Sequence, residues 1–302
     1  MQTRARRAAA VAVFGAVALT LILLLRSGAA PWLLRLLKEL DTRPAKTPEA
    51  FGLFHFLWMG ICLLMTGFAV LFAWRMPEQG RGERIDRNVF ACGAAFFWLE
   101  LLKQLFWCFV LSPDDYPFQV FPFQFCSLPI YFCLLAPILP WRAARTTCYR
   151  FLALYGTVGG CLVIGYPDFP DVAALCFHTM IWHSLMIAMG IYLLIVTQTG
   201  ERFLREWFPA TAVFLGSFAA ATALNVAMND LPGKTSGPLN LFYMNPYRST
   251  YFWGISDLWE RFGWGVAALG YLVLFAVGAA IPLWFLGYLF RFLQRKIKPR
   301  TL

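Results

Sequence analysis

Residues 172–196 read VAALCFHTMIWHSLMIAMGIYLLIV, without a single Asp, Glu, Lys or Arg. As a helix, 25 residues extend about 37 Å, more than the ~30 Å hydrocarbon core of a bilayer. Composition decides whether such a run lies in lipid or in a soluble core. Hydrophobic residues make up 60% of the chain and charged residues 14%, against about 45–50% and 25% in globular domains. Mean hydropathy is +0.61. So few charges cannot cover so much apolar surface in water, and the excess must face lipid. The length of 302 residues would suggest two soluble domains at about 150 residues each, but composition overrules it. Soluble enzymes, disordered regulators and secreted disulfide scaffolds are excluded. Barrel strands alternate over about ten residues, whereas these runs are long and uniform. The expected fold is an all-α, polytopic helical membrane protein.

Working outward, eight apolar runs emerge, at 8–25, 51–74, 88–111, 120–139, 148–166, 172–196, 208–228 and 262–290. The last is overlong and is expected to tilt, kink at Pro282 or extend into water. The net charge of +10 lies in short clusters between the runs rather than on a basic face interleaved with aromatics, which argues against nucleic acid. Arg4, Arg6 and Arg7 precede run one. Arg75, Arg81, Arg84 and Arg87 follow run two, Arg142 and Arg145 run four, and Arg202 and Arg205 run six. The loops after runs three and five carry only Asp114, Asp115, Asp168 and Asp171 as charges. This alternation predicts eight crossings of the cell membrane with both termini cytoplasmic, although the loop after run one, with Arg26, Arg35, Lys38, Arg43 and Lys46, runs against it.

Residues 1–50 are read as an added transmembrane helix plus an interfacial segment, 51–290 as the membrane core and 291–302 as a basic cytoplasmic tail. Within 31–40, Leu33, Leu36, Leu37 and Leu40 stand opposite Arg35 and Lys38, the pattern of a helix lying on the outer interface. The basic start and the small residues at 27–30 also suit a cleaved signal peptide, but Arg26 and the 18-residue apolar length oppose that. The aromatic, Gly- and Pro-containing stretch 229–261 is expected to form an ordered cap.

The eight cysteines include no C-x-x-C pair and no metal-ligand spacing, so neither a disulfide framework nor a metal is expected. Ionisable groups inside membrane spans are costly and mark candidate sites. Here they are His55, Glu100, Lys103, Cys126, His178 and His183, with Gln104, Gln124 and Asn225 as neutral companions. Helical rise places Cys126, Gln104, His178 and Lys103 about 9–12 Å below the outer surface, and Glu100 and His183 about 16–18 Å. Five runs thus deliver polar groups to one outer layer. His178 and His183 point in different directions, roughly 140° apart around their helix. Glu100 and Lys103, three apart on one face, either neutralise each other or serve the site, Glu100 then orienting a histidine. Pro122 and Pro129 bracket Cys126. Pro129 is expected to kink the run and free the Phe125 carbonyl beside the thiol.

The stretch PFQFCSLPIY at 122–131 resembles the cysteine motif of the YwaF-type integral membrane family, which includes the transmembrane protein 164 acyltransferases. In the same order, FGLFH at 51–55 resembles the histidine opening the family's first common span. TMIWHS at 179–184 resembles its histidine motif, and NLFYMNPY at 240–247 the segment before its last span. The likeness covers about 51–290. Ser184 stands where many members have Gly, and Trp182 where some have a second histidine. The resemblance implies a lipid acyltransferase with Cys126 as nucleophile and His183 as base, although depth alone favours His178. His55, Thr179, Gln104 and the oxyanion candidates Gln124, Asn225 and Asn240 would support the site, and Lys103 would hold a phosphate. No cofactor is implied; the expected partners are membrane lipids. The rival reading is a transporter or lipid-binding protein with an intramembrane Glu/Lys/His path and no catalysis.

Overall fold

The structure, a computed structural model, describes residues 2–197, 203–229, 239–248, 250, 252, 254–286, 288, 289 and 292. Helix α1 (Gln2–Arg26) leads into the short α2 (Pro31–Glu39), then α3 (Leu53–Trp74) and α4 (Arg81–Phe106), which a π-helical turn extends to Leu111. A 3-10 turn (Phe125–Ser127) opens the short α5 (Leu128–Leu135). Helices α6 (Arg142–Phe151) and α7 (Thr157–Gly165) run on through a π-helical turn, followed by α8 (Ala173–Val196) and α9 (Phe203–Ala227). The amphipathic α10 (Ile255–Phe262) precedes α11 (Trp264–Ile281). Among the described residues there is no strand, and seven helices are long and apolar enough to cross a membrane. The basic tail expected at 291–302 lies outside the described residues, apart from Phe292.

The eighth expected span is shorter than 120–139. Its apolar helical part is Phe125–Ile138, about 21 Å long. Pro129 occupies the first turn of α5, where its missing N–H removes no helical bond. It starts the helix instead of kinking it. The Phe125 carbonyl is not freed, because the Leu128 N–H donates to it. The last run divides as well: Gly263, at φ +80°, separates α10 from α11, and a π-helical turn begins at Pro282.

Contacts between helix ends fix the alternation. The start of α1 meets the starts of α4 and α6 and the end of α5: Arg7 pairs with Glu83 and with Asp86 (3.7 Å) and donates to the Pro137 carbonyl at 3.4 Å. Asp86 is buried and also accepts from Arg145 (2.7 Å) and Tyr149 (2.6 Å). The same face holds the start of α3's return, where Arg81 donates to the Val196 carbonyl at the end of α8. On the opposite face, the Ala173 N–H at the start of α8 donates to Thr42 at 2.9 Å, and Arg43 pairs with Asp171 at 2.5 Å. These contacts gather the starts of α1, α4 and α6 and the ends of α5 and α8 on one face, and the start of α8 and the chain after α2 on the other.

Helix α2 lies on the second face. Its Leu33, Leu34, Leu37 and Leu40 pack with Leu25 and Leu105, whereas Leu36 is exposed. Leu34 therefore takes the inward place expected for Leu36. Helix α8 forms the centre of the bundle, with every residue from Met186 to Val196 buried. Lipid offers little apolar driving force between helices, so close approach at small residues governs their packing. A Cβ on Gly190 would stand 2.1 Å from Thr157 Oγ1, and one on Gly160 would stand 2.8 Å from the His183 carbonyl oxygen.

Candidate functional site

The cysteine and histidine segments are in direct contact. The Trp182 indole N–H donates to the Cys126 carbonyl at 2.9 Å. That indole packs edge-on against Phe96 of α4 at 4.8 Å and stacks on His178 at 5.2 Å. On the other side, Gly159 of α7 has no room for a Cβ, which would stand 2.6 Å from the Phe125 ring. The adjacent glycines 159 and 160 thus seat one helix against both Phe125 and the His183 backbone. Sequence reasoning passed over these glycines and treated Trp182 only as a departure. A Gly-Gly pair inside an apolar run was the available signal.

His183 is buried, and its Nδ1 lies 2.7 Å from the Thr179 carbonyl oxygen. A carbonyl only accepts, so Nδ1 carries the proton and a neutral ring keeps its lone pair on Nε2. Nε2 is buried without a hydrogen-bond partner. The Thr179 backbone therefore orients this ring, and the carboxylate expected for that task, Glu100, does not bond to it. Glu100 Oε1 instead takes Lys103 Nζ at 2.8 Å and Gln104 Nε2 at 2.6 Å. Gln104 also donates to the Val120 carbonyl at 2.7 Å and accepts from the Tyr116 hydroxyl at 2.6 Å. Burial, with the charges of Cys108 and Glu100, pushes the Tyr116 phenol above its usual range, so it remains a donor.

Lys103, largely buried, is held beside Glu100 on the same helix face. Glu100 Oε2, His178 Nε2 and His183 Nε2 all lack partners. Unpaired buried polar atoms are uncommon and call for an explanation. Among the described residues, no hydrogen bond joins the Cys126 thiol to either imidazole, and no group of three or more His, Cys, Asp or Glu is placed to hold a metal.

His55 has a different role. Phe51 N–H donates to its Nδ1 at 2.8 Å, so Nε2 bears the hydrogen and donates to the Ile164 carbonyl at 2.7 Å. Both nitrogens are used, and the ring ties the start of α3 to the end of α7. Of the three amides expected as oxyanion donors, Gln124 and Asn225 have their N–H groups engaged, and Asn240 has its oxygen engaged. Gln124 accepts from Phe242 N–H at 2.7 Å and donates to Asn240 O at 2.9 Å and Gln119 O at 3.0 Å. Asn225 exchanges two bonds with the Leu241 backbone, at 2.7 and 3.0 Å, and Asn240 accepts from Asn245 N–H at 3.0 Å. Asn245, buried, donates from its side-chain amide to the Leu239 carbonyl at 2.6 Å. These side chains hold the backbone of residues 239–247 inside the bundle, where every backbone polar group needs a partner. The cap expected at 229–261 is ordered in this part; residues 230–238, 249, 251 and 253 lie outside the described residues.

Residues 50–288 match the TMEM164 family. This chain belongs to the TMEM164 family. The match contains Cys126, His183 and the 239–247 loop, and it leaves α1 and α2 outside. In this TMEM164-family protein, two motifs far apart in sequence meet a third: Trp182 holds Cys126, and Gln124 holds Phe242. No curated protein and no solved structure matches the chain.

Proposed function

We propose that this membrane protein is a lipid acyltransferase in which Cys126 is the nucleophile and His183 the base. The observation that carries the reading is the buried, unpartnered Nε2 of His183, one residue from the tryptophan that grips the Cys126 carbonyl. A thiol needs such a base, since only the thiolate attacks readily. Nε2 takes the Cys126 proton, and sulfur adds to the carbonyl carbon of a phospholipid acyl ester. Collapse of the tetrahedral adduct breaks the C–O bond, and the leaving alkoxide takes the proton back from His183. A thioester and a lysolipid result. A second lipid hydroxyl, deprotonated by Nε2, then collects the acyl group and restores the thiol.

Lys103 is the cation available for a lipid phosphate, and its bond to Glu100 keeps it in the Cys126 layer. The arginine-rich loops lie on the face away from α2. Positive-inside bias therefore assigns that face and both termini to the cytoplasm of a cell membrane, with the site in the outer leaflet. Incubation with phosphatidylcholine vesicles followed by intact-mass analysis tests the proposal. An acyl-sized mass gain that maps to Cys126 is expected, and its absence in active-folded protein rejects the reading.

One observation favours a second reading. Tyr116, Gln104 and Glu100 form a hydrogen-bonded string from the loop after α4 into the bundle, ending at the unpartnered Glu100 Oε2. A transporter or lipid-binding protein would use such a path for ions or head groups. Ion or lipid flux into proteoliposomes that persists in Cys126→Ala would select it.

A further inference from the structure

Acyl transfer through a tetrahedral adduct requires a hydrogen-bond donor for the developing oxyanion. Two of the side-chain amides near the cysteine, Gln124 and Asn225, do not offer one. Gln124 and Asn225 spend their hydrogen bonds on the backbone of residues 240–242. What they hold there is unusual. Phe242 and Tyr243 are consecutive aromatic residues in the left-handed region, at φ +58° and +56°. Bulky residues are rarely found at positive φ, and such strain survives only where the surroundings over-determine it. Here the over-determination is visible: four amide bonds from α9 and from the residue before the Phe125–Ser127 turn, with Phe242 buried against Phe125 at 5.8 Å. The reversal that buries Phe242 leaves Tyr243 44% exposed.

Two observations tie Tyr243 to the cysteine. Gln124, which bonds both Asn240 and Phe242, lies two residues before Cys126, so the loop and the nucleophile share one rigid support. Phe125, next to Cys126, also packs edge-on against Phe242, next to Tyr243, at 5.8 Å. Among the described residues the Tyr243 hydroxyl has no hydrogen-bond partner, and its donor is available. A phenol titrates at about 10, so it keeps its proton at physiological pH.

We propose that Tyr243 is a catalytic residue of the acyl-transfer site, donating its phenolic hydrogen bond to the carbonyl oxygen of the acyl ester as that oxygen gains charge. The proposal rests on the Cys126 reading above. The C–O π electrons move onto oxygen as the C–S bond forms, the phenol shares but does not surrender its proton, and collapse of the adduct returns the pair to the carbonyl. The strained loop is thus the device that aims a donor at the cysteine.

The full-length protein is reconstituted with phosphatidylcholine vesicles, and two rates are read at Cys126: thioester formation by intact mass, and alkylation by N-ethylmaleimide, which makes no tetrahedral oxyanion. Tyr243→Phe keeps the ring and the loop and removes only the hydroxyl. It is expected to slow thioester formation about 10²-fold, the effect of losing one oxyanion donor, and to leave alkylation unchanged. A Tyr243→Phe thioester rate equal to wild type overturns the donor role alone. Parallel loss of both rates overturns it too, making Tyr243 a prop for the cysteine turn. So does a loss seen in Tyr271→Phe but not in Tyr243→Phe, since Tyr271 is a buried phenol that reaches Phe125, next to Cys126, through Phe275. Wild-type protein that alkylates yet forms no thioester overturns the acyl-transfer reading itself, and the donor role with it.

Discussion

Trp182 and Cys126 are joined by a hydrogen bond of 2.9 Å from indole nitrogen to backbone carbonyl. The bond fastens the 3-10 turn carrying the thiol to the central helix carrying His178 and His183. It uses the carbonyl of the cysteine rather than its sulfur, so it positions the thiol without occupying it. Trp182→Phe preserves the ring and strands that carbonyl. A loss of about 1–3 kcal/mol is expected for an unsatisfied buried acceptor. Cys126 alkylation should become faster as the turn loosens, and thioester formation slower. Thermal unfolding in detergent and the two Cys126 rates check this; equal rates would leave the tryptophan a packing residue.

His183 and His178 are separable. His183→Ala removes the lone pair on Nε2 and is expected to reduce thioester formation by about 10²–10⁴-fold, the range for a general base. His178→Ala removes a ring stacked on Trp182 and should cost stability more than rate. The reverse order would assign the base to His178. Single-turnover acylation of Cys126 at neutral pH distinguishes them.

The Glu100–Lys103 pair gives a stability test. Removing Lys103 alone, as Lys103→Met, leaves a buried carboxylate and should destabilise by about 3–5 kcal/mol, whereas Glu100→Leu combined with Lys103→Met should be neutral or stabilising. If the pair also serves lipid, the double variant folds as well as wild type but acylates Cys126 more slowly. Undiminished acylation would make the pair a packing device.

Glycine substitutions test the helix seating. Gly160→Ala drives a methyl group to 2.8 Å from the His183 carbonyl oxygen, and overpacking of this kind costs about 1–3 kcal/mol. Gly15→Ala in α1 meets nothing within 4 Å and should stabilise by about 0.5–1 kcal/mol as a helix-interior replacement. Melting temperatures of the two variants should move in opposite directions.

Topology has its own measurement. A cysteine placed at Asp114, in a background lacking reactive native thiols, should label from outside the cell with an impermeant maleimide. Labelling only from the cytoplasmic side would invert the orientation and move the site to the inner leaflet.

Much of this architecture was legible because hydropathy and charge act over whole segments. Runs such as 172–196 and 51–74 appear as α8 and α3 nearly residue for residue, and the i,i+3 spacing of Glu100 and Lys103 foretold their pairing. What escaped was backbone accounting. Hydropathy reads 120–139 as one apolar span, yet prolines 122 and 129 break it into turns and a short helix. The turns expose carbonyls and amides, which then recruit Gln124 and Trp182. For the same reason His55, Asn225 and Asn240 looked like site residues. They are polar, but the partners they take are main-chain groups. Leu36 and Leu34 exchanged places because a short amphipathic stripe fixes its direction only to within about one residue.

The Asp86 network bears on how the chain is made. Its acid gains Arg145 and Tyr149 only after some sixty further residues are synthesised, since those partners lie 59 and 63 positions downstream. Arg7 lies upstream, emerges first and reaches the same carboxylate. During biosynthesis a newly made α4 therefore meets a counter-ion already waiting in the membrane. An N-terminal helix that lies beyond the family match would in this way act as an escort for the core's own buried acid until α6 arrives to complete the cluster.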